Sequence, residues 1–191
     1  MSHYEPQQFN LPELNGISQK NIDEHMKLYE GYVKNTNAIL DQMRDNPGAS
    51  EYGAKEMRRR LGFEFDGMRN HEHFFTQWEG DATEPNSDSS LYKKIEEQFG
   101  SFDAWKKDFL ETAKTRGIGW AILYYDVSGD TLMNVWVDEQ HLGHVQGVDF
   151  ILGIDMWEHA FVYDFATSEK GDYIDAWYSN LNWGVIEKRL G

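Results

Sequence analysis

The stretch that most narrows the possible folds is the apolar run 148–154, which passes directly into Asp155-Met156-Trp157-Glu158-His159-Ala160. An anionic oxygen ligand and an imidazole stand four residues apart there, with an indole between them and a carboxylate beside the imidazole. That set suits one side of a redox-metal site: Asp offsets metal charge, His supplies a borderline-soft nitrogen, and Trp keeps the site dry. The rest of the chain must then bring further ligands to this place. Cysteine is not among the candidates, because the chain has none. With no disulfide, thiolate-held cluster or cysteine nucleophile, any metal must be held by His, Asp or Glu.

Residues 1–16 read as extended, with Pro6, Pro12 and Gly16 blocking a helix. Ser18 can cap a helix running to about Asp41, in which Ile22, Met26, Tyr29 and Val33 recur at helical spacing. Asn46-Pro47-Gly48 is a strong turn, and a second helix runs from about Ser50 to Trp78. Residues 80–89 are polar and rich in helix breakers. They are the expected junction between an N-terminal helical-hairpin domain, 1–84, and a C-terminal domain, 85–191. There, residues 91–99 and 102–115 read as helices, with Ser90 and Ser101 as caps and Gly100 ending the first. Residues 120–126 and 131–137 are strand-like, and Ser128-Gly129-Asp130 between them is a hairpin signal. Residues 148–154 supply a third strand, and 173–190 return to helix, interrupted near Asn182. This order predicts an α+β fold: an N-terminal helical hairpin, then a three-stranded antiparallel sheet flanked by helices, with the metal site between the two parts.

Apolar residues make up 40% of the chain and aromatics 15%, enough to fill a core, so global disorder is excluded. No run of eighteen apolar residues exists, and the start, Met-Ser-His-Tyr-Glu-Pro, lacks a basic and then an apolar signal region. A soluble, cytoplasmic protein is expected. The net charge of −15 argues against nucleic acid or an anionic membrane surface as a partner. The one basic cluster, Arg58-Arg59-Arg60, follows Glu56 on a probable helix face and reads as solvated.

The seven histidines are His3, His25, His71, His73, His141, His144 and His159. A lone His is more often an ordinary surface or core residue than a ligand, so each needs its own argument. His25 lies seven residues before Tyr32, close to two helical turns, so both point the same way. His71 and His73 face about 200° apart on a helix and cannot both point inward.

Asp155-x-Trp157-Glu158-His159-Ala160 resembles the signature of the iron/manganese superoxide dismutases. Ile17-Ser18…Ile22…His25, Tyr32-Val33 and Asn70-His71…Phe74-Phe75 resemble the family's two helical motifs. Gly100-Ser101-Phe102, Gly119-Trp120-Ala121, Asp172-Tyr173-Ile174 and Asn182-Trp183 match further motifs, so the resemblance covers nearly the whole chain. It implies that His25, His71, Asp155 and His159 hold one iron or manganese ion per subunit, selecting His71 over His73. It implies an antioxidant oxidoreductase that converts two superoxide anions and two protons into dioxygen and hydrogen peroxide. In that reading Tyr32 belongs to the active-site hydrogen-bond chain, and Trp120 and Trp157 wall the site. Glu158 contacts the ligand His of a partner subunit, implying a homodimer or a tetramer. Lys170 is the basic residue near the substrate funnel. A zinc hydrolase using the same ligands to activate water is the rival class.

The chain also departs from the family pattern. The His25–Tyr32 spacing is one residue shorter than usual. The family's second-sphere Gln comes either from the second helix, where this chain has Gly67, or from the turn after the second strand. Aligning that strand puts His141 at the Gln position, with Gln140 beside it. His141 is preferred over Gln140, and this loss of the usual Gln favours iron, or use of either metal. Leu28 or Tyr29, together with Phe161, replaces a polar pair that many members place across the dimer interface.

Overall fold

A computed structural model describes residues 3–190; Met1 and Ser2 of the expected extended segment, and Gly191, lie outside the described residues. Helix α1 spans Gln19–Asp45 and α2 spans Tyr52–Thr76. Ser18 caps α1, its hydroxyl accepting from the Asn21 N–H at 3.2 Å, which satisfies one of the free donors at a helix start. The helix runs past the expected Asp41, since Gln42, Met43 and Arg44 favour helix, and it stops where Pro47 forbids continuation. Its buried residues, including Ile22, His25, Tyr29, Tyr32, Val33, Thr36 and Ile39, recur at three- and four-residue steps and face α2.

Two shorter helices follow, α3 (Ser90–Phe99) and α4 (Phe102–Ala113). The α3 cap is Ser89 rather than the expected Ser90: its hydroxyl accepts from Tyr92 N–H at 3.1 Å. Gly100 closes that helix in a left-handed conformation (φ 84°), which costs an L-residue more than glycine. Ser101 caps α4 as expected.

Strands β1 (Gly119–Asp126), β2 (Thr131–Asp138) and β3 (Asp149–Asp155) form an antiparallel sheet ordered β2-β1-β3. Strand β1 is central, and Trp120, Ala121, Ile122, Leu123 and Tyr124 are all buried, as a strand covered on both faces requires. Its register sets Trp120 opposite Val137 on one side and Asp155 on the other. The C-terminal helical region begins earlier than expected, as α5 (Lys170–Ser179), and breaks before α6 (Trp183–Ile186), in line with the interruption read at Asn182.

Helix α2 lies against β3, where the Gln77 carboxamide pairs with the backbone of Gly153 (Nε2 to O, 2.7 Å; N to Oε1, 3.3 Å). Helix α4 covers β1 and β2. The segment 80–89 is tied to the C-terminal region: Thr83 N–H donates to Leu181 O at 3.1 Å, and Asn86 N–H donates to Glu187 Oε1 at 2.8 Å. One core runs from Leu14 to Ile186 and includes Trp78, Trp105, Trp120 and Trp177 with almost no exposed surface. Truncating any of these to alanine costs about 3–5 kcal/mol. No helix among the described residues is long and apolar enough to cross a membrane.

Candidate metal centre

His25 projects from the buried face of α1 and His71 from that of α2. Asp155 ends β3, and His159 follows in the 3-10 turn Glu158–Ala160. One ligand-type atom from each of these four residues lies within 4.8 Å of the others. The Nε2 atoms of His25, His71 and His159 stand 3.2, 3.5 and 3.0 Å from Asp155 Oδ2. Donors about 2.1 Å from one ion, at roughly 90–110° to one another, are roughly 3.0–3.4 Å apart, so this spacing fits a single first-row ion.

A second observation tests the same fit. His71 Nδ1 lies 2.6 Å from Gly67 O, so its N–H donates to that carbonyl and leaves the lone pair on Nε2. Among the described residues that Nε2 is buried without a hydrogen-bond partner, which costs about 1–3 kcal/mol unless something binds it. Burial lowers the pKa of both His25 and His71 and so favours the neutral, ligating imidazole. Burial alone pushes the Asp155 carboxyl up, but His159 and His25 beside it hold it well below the usual carboxylate range. Three imidazoles and one carboxylate are thus aimed at one point.

Neighbouring groups fix these four side chains. Tyr173 O–H donates to Asp155 O at 2.8 Å, and Trp157 N–H donates to Asp155 Oδ1 at 2.9 Å. The Trp157 indole stacks on His159 (centroids 5.6 Å, 22°) while its Nε1–H reaches Glu139 O at 3.1 Å. Trp120 packs edge-on to His71 at 5.2 Å. Tyr32 lies 5.1 Å from the His71 ring, on the same buried face of α1 as His25 despite the short spacing. Its ring presses on Gly67: a Cβ there would stand 2.7 Å from Tyr32 Cδ1, closer than side chains pack.

The expectation for His141 needs correction. The side chain that reaches Tyr32 is Gln140, fully buried, whose Nε2 donates to Tyr32 Oη at 3.1 Å and whose Oε1 accepts from Trp120 Nε1–H at 2.9 Å. His141 instead packs edge-on against Phe63 at 5.6 Å. The turn explains the slip. Asp138 and Leu142 bridge across it, Glu139 takes a left-handed φ of 53°, and the chain turns Gln140 toward Tyr32 and His141 toward Phe63. Strand alternation cannot be carried through such a residue.

The other histidines stay outside the cluster. His3 meets Asp41 at the surface, and His73 stacks on Phe150 (4.5 Å, 9°). His144 pairs with Tyr124 Oη and with Gln140 O. Glu158 is exposed on this chain, and Lys170 Nζ lies 3.5 Å from Gly117 O and 5.7 Å from the Phe161 ring centroid. Tyr29 and Phe161, placed by sequence at a polar pair of the interface, are both buried inside the chain, with Tyr29 Oη donating to Glu72 at 3.2 Å. Sequence reasoning assigned no role to Asn70, whose amide donates to Gln140 O at 3.0 Å, or to Tyr124 and His144. The Asn next to a ligand was visible in the motif; the pairing of Tyr124 with His144 has no sequence signal.

Comparison with known proteins agrees with this geometry. Residues 87–189 match the C-terminal domain of the iron/manganese superoxide dismutases. The chain is 30% identical to a superoxide dismutase [Fe] of Pyrobaculum aerophilum, over 87% of this chain and 80% of that protein. It is 31% identical to superoxide dismutase [Mn] 1 of Haloferax volcanii, over 96% and 92%. It is 32% identical to a superoxide dismutase [Fe] of Aquifex aeolicus, over 98% and 88%. Relatives named for each metal thus align along almost the whole length, and with four ligand-type side chains gathered at the seam of hairpin and sheet, this chain belongs to the iron/manganese superoxide dismutase family.

Proposed function

We infer that the chain is a superoxide dismutase, converting two superoxide anions and two protons into dioxygen and hydrogen peroxide. The observation that carries this reading is the convergence of His25, His71, Asp155 and His159 around the unpartnered Nε2 of His71. These four residues would hold one iron or manganese ion, which supplies one-electron chemistry by alternating between trivalent and divalent states. Asp155 is the one carboxylate of the set, so it would leave net positive charge on a trivalent ion there and the site would draw in a small anion.

The protein's own groups orient the reactants and handle protons. Burial raises the Tyr32 phenol pKa well above its ordinary value, so it keeps its proton. Its oxygen accepts from Gln140 Nε2, which leaves the Tyr32 O–H free to be directed at a bound anion. Gln140 is itself aimed by Trp120, so Tyr32, Gln140 and Trp120 form one chain of directed bonds. Trp120 and Trp157 exclude bulk water, which strengthens each of these interactions.

The finer parts of the reading are a homodimer in the cytoplasm, with Glu158 of each subunit reaching the other's His159. The exposure of Glu158 on the isolated chain, beside a ligand, supports this. Lys170 supplies local attraction for superoxide against the net charge of −15. The deciding experiment is metal analysis of the purified protein together with superoxide and hydrolase assays. Iron or manganese with dismutation is expected; bound zinc with hydrolysis and no dismutation would sink the reading. Sedimentation of Glu158→Ala tests the dimer, which should weaken along with metal retention.

A further inference from the structure

Gln140 is held from behind as firmly as from the front. Its backbone oxygen accepts from Asn70 Nδ2 at 3.0 Å and lies 2.9 Å from His144 Nε2. A carbonyl only accepts, so His144 Nε2 carries the proton there, and a neutral ring then offers Nδ1 as an acceptor. Tyr124 Oη sits at that Nδ1. Burial pushes the Tyr124 phenol well above its ordinary pKa, so its O–H is the donor. The bonds therefore run in one direction, from Tyr124 on the central strand, through His144, to the backbone of the residue that meets Tyr32.

The base of the turn is held by the Asp138–Leu142 bridge and by Glu139, whose N–H donates to Ile118 O at 3.0 Å and whose O accepts from Trp157 Nε1–H at 3.1 Å, but the Gln140 carbonyl itself is met by Asn70 and His144. Glu139 is in a left-handed conformation, Gly143 has φ 101°, and Leu142 is exposed. Asn70, one residue before the ligand His71, ties the turn to α2, whereas His144 ties it to β1. The carboxamide is thus located relative to both halves of the molecule. We propose that His144, oriented by Tyr124, is a positioning residue that sets how far Gln140 reaches toward Tyr32 and the metal ligands. Donors around a metal site tune its reduction potential, so a small retreat of Gln140 changes the metal's redox balance without removing any ligand.

The inference rests on the dismutase reading, and its test separates the two. The protein as purified, His144→Ala, Tyr124→Phe and His144→Gln are compared by crystal structure, metal content and midpoint potential. In His144→Ala the separation of Gln140 Nε2 from Tyr32 Oη should lengthen from 3.1 Å to beyond hydrogen-bonding range, with metal content retained. The oxidised-to-reduced ratio at fixed potential should change about tenfold, which is 59 mV for one electron. Tyr124→Phe should produce a smaller shift of the same sign. His144→Gln, which keeps an N–H near the Nε2 position, should restore most of both values. Combining His144→Ala with Gln140→Ala should add nothing to Gln140→Ala alone, because the effect passes through that carboxamide. If the crystal structure of His144→Ala leaves Gln140 in place, or if the shift persists without the Gln140 carboxamide, the proposal is overturned. Absence of redox metal and of dismutation in the parent protein would instead overturn the dismutase reading, and the Gln140–Tyr32 separation would still report on positioning.

Discussion

The helical hairpin and the sheet each supply two ligand-type side chains, but by different means. His25 and His71 ride on long helices, where local bonding sets the direction of each side chain, and both are almost fully buried. Asp155 and His159 lie at the end of a strand and in the short turn beyond it, and the His159 side chain keeps 24% of its surface exposed. Their positions depend on the register of β3 on β1, on Tyr173 and on the stack of Trp157. The hairpin side is thus a dry wall, while the sheet side, with the turn of Gln140, is assembled from several weaker constraints.

Substitutions sharpen that contrast. The largest effect comes from the ligands themselves. Asp155→Ala and His25→Ala should each lose more than about 100-fold in activity, with metal content falling in parallel, since even outer partners of ligands matter by about 10–100-fold. Elemental analysis beside the assay checks this, and full metal content and activity in Asp155→Ala would refute the assigned cluster. Next comes the turn. Gln140→Ala should keep its metal and lose about 10–100-fold in turnover, while His141→Ala stays near the parent rate. Equal effects of the two would mean that the turn does not hold Gln140 as described.

In the hairpin, Gly67→Ala presses a methyl group into the Tyr32 ring and should cost about 1–3 kcal/mol in denaturant unfolding. A neutral result there would show the dry wall to be softer than its packing implies. His73 probes the seam, where it stacks on Phe150 of the sheet. Burial first, then Arg189 and Arg69, lower its pKa from 6.5 to about 4. Above pH 6.5 it adds no pH dependence. As the pH falls from there towards 4, the unfolded chain takes up a proton that the folded chain resists, and stability is lost. About 2 kcal/mol should disappear by pH 5, and His73→Phe should flatten that part of the curve. The smallest effect is expected at Lys170. Salt should lower kcat/KM in the parent, and Lys170→Glu should lower it at low ionic strength, since a charge near the site is screened less than the distant −15 field. A parent rate that rises with salt, with Lys170→Glu neutral, would assign steering to the metal centre alone.

The same contrast governs how much was legible in the sequence. Helix geometry put His25 and Tyr32 on one face and let only one of His71 and His73 point inward; the choice of His71 came from the family resemblance, and Asp155 and His159 share one short motif. The three strands, the caps at Ser18 and Ser101 and the break at Asn182 follow from apolar runs and local turn chemistry. Between the two candidates His141 and Gln140 the preference fell on His141, because Glu139, with positive φ, breaks the alternation that a strand alignment assumes. The network of Tyr124, Asn70 and His144 was invisible because it joins β1, α2 and a turn whose packing no periodicity encodes. The helix ends at Asp45 and Ala113 moved by a few residues, as fraying ends do.

The split of the ligands across the seam also sets an order of events. His25 and Asp155 stand 130 positions apart in the chain. A nascent chain that has emerged only through α2 carries His25 and His71 but no carboxylate or third imidazole of the set. Closing so long a loop is slow, because its entropy is lost before the contacts form. The four ligand-type side chains therefore come together only once β3 has seated Asp155 against the hairpin. An ion held by all four would then be drawn from what surrounds a nearly finished protein, not from what the early chain meets.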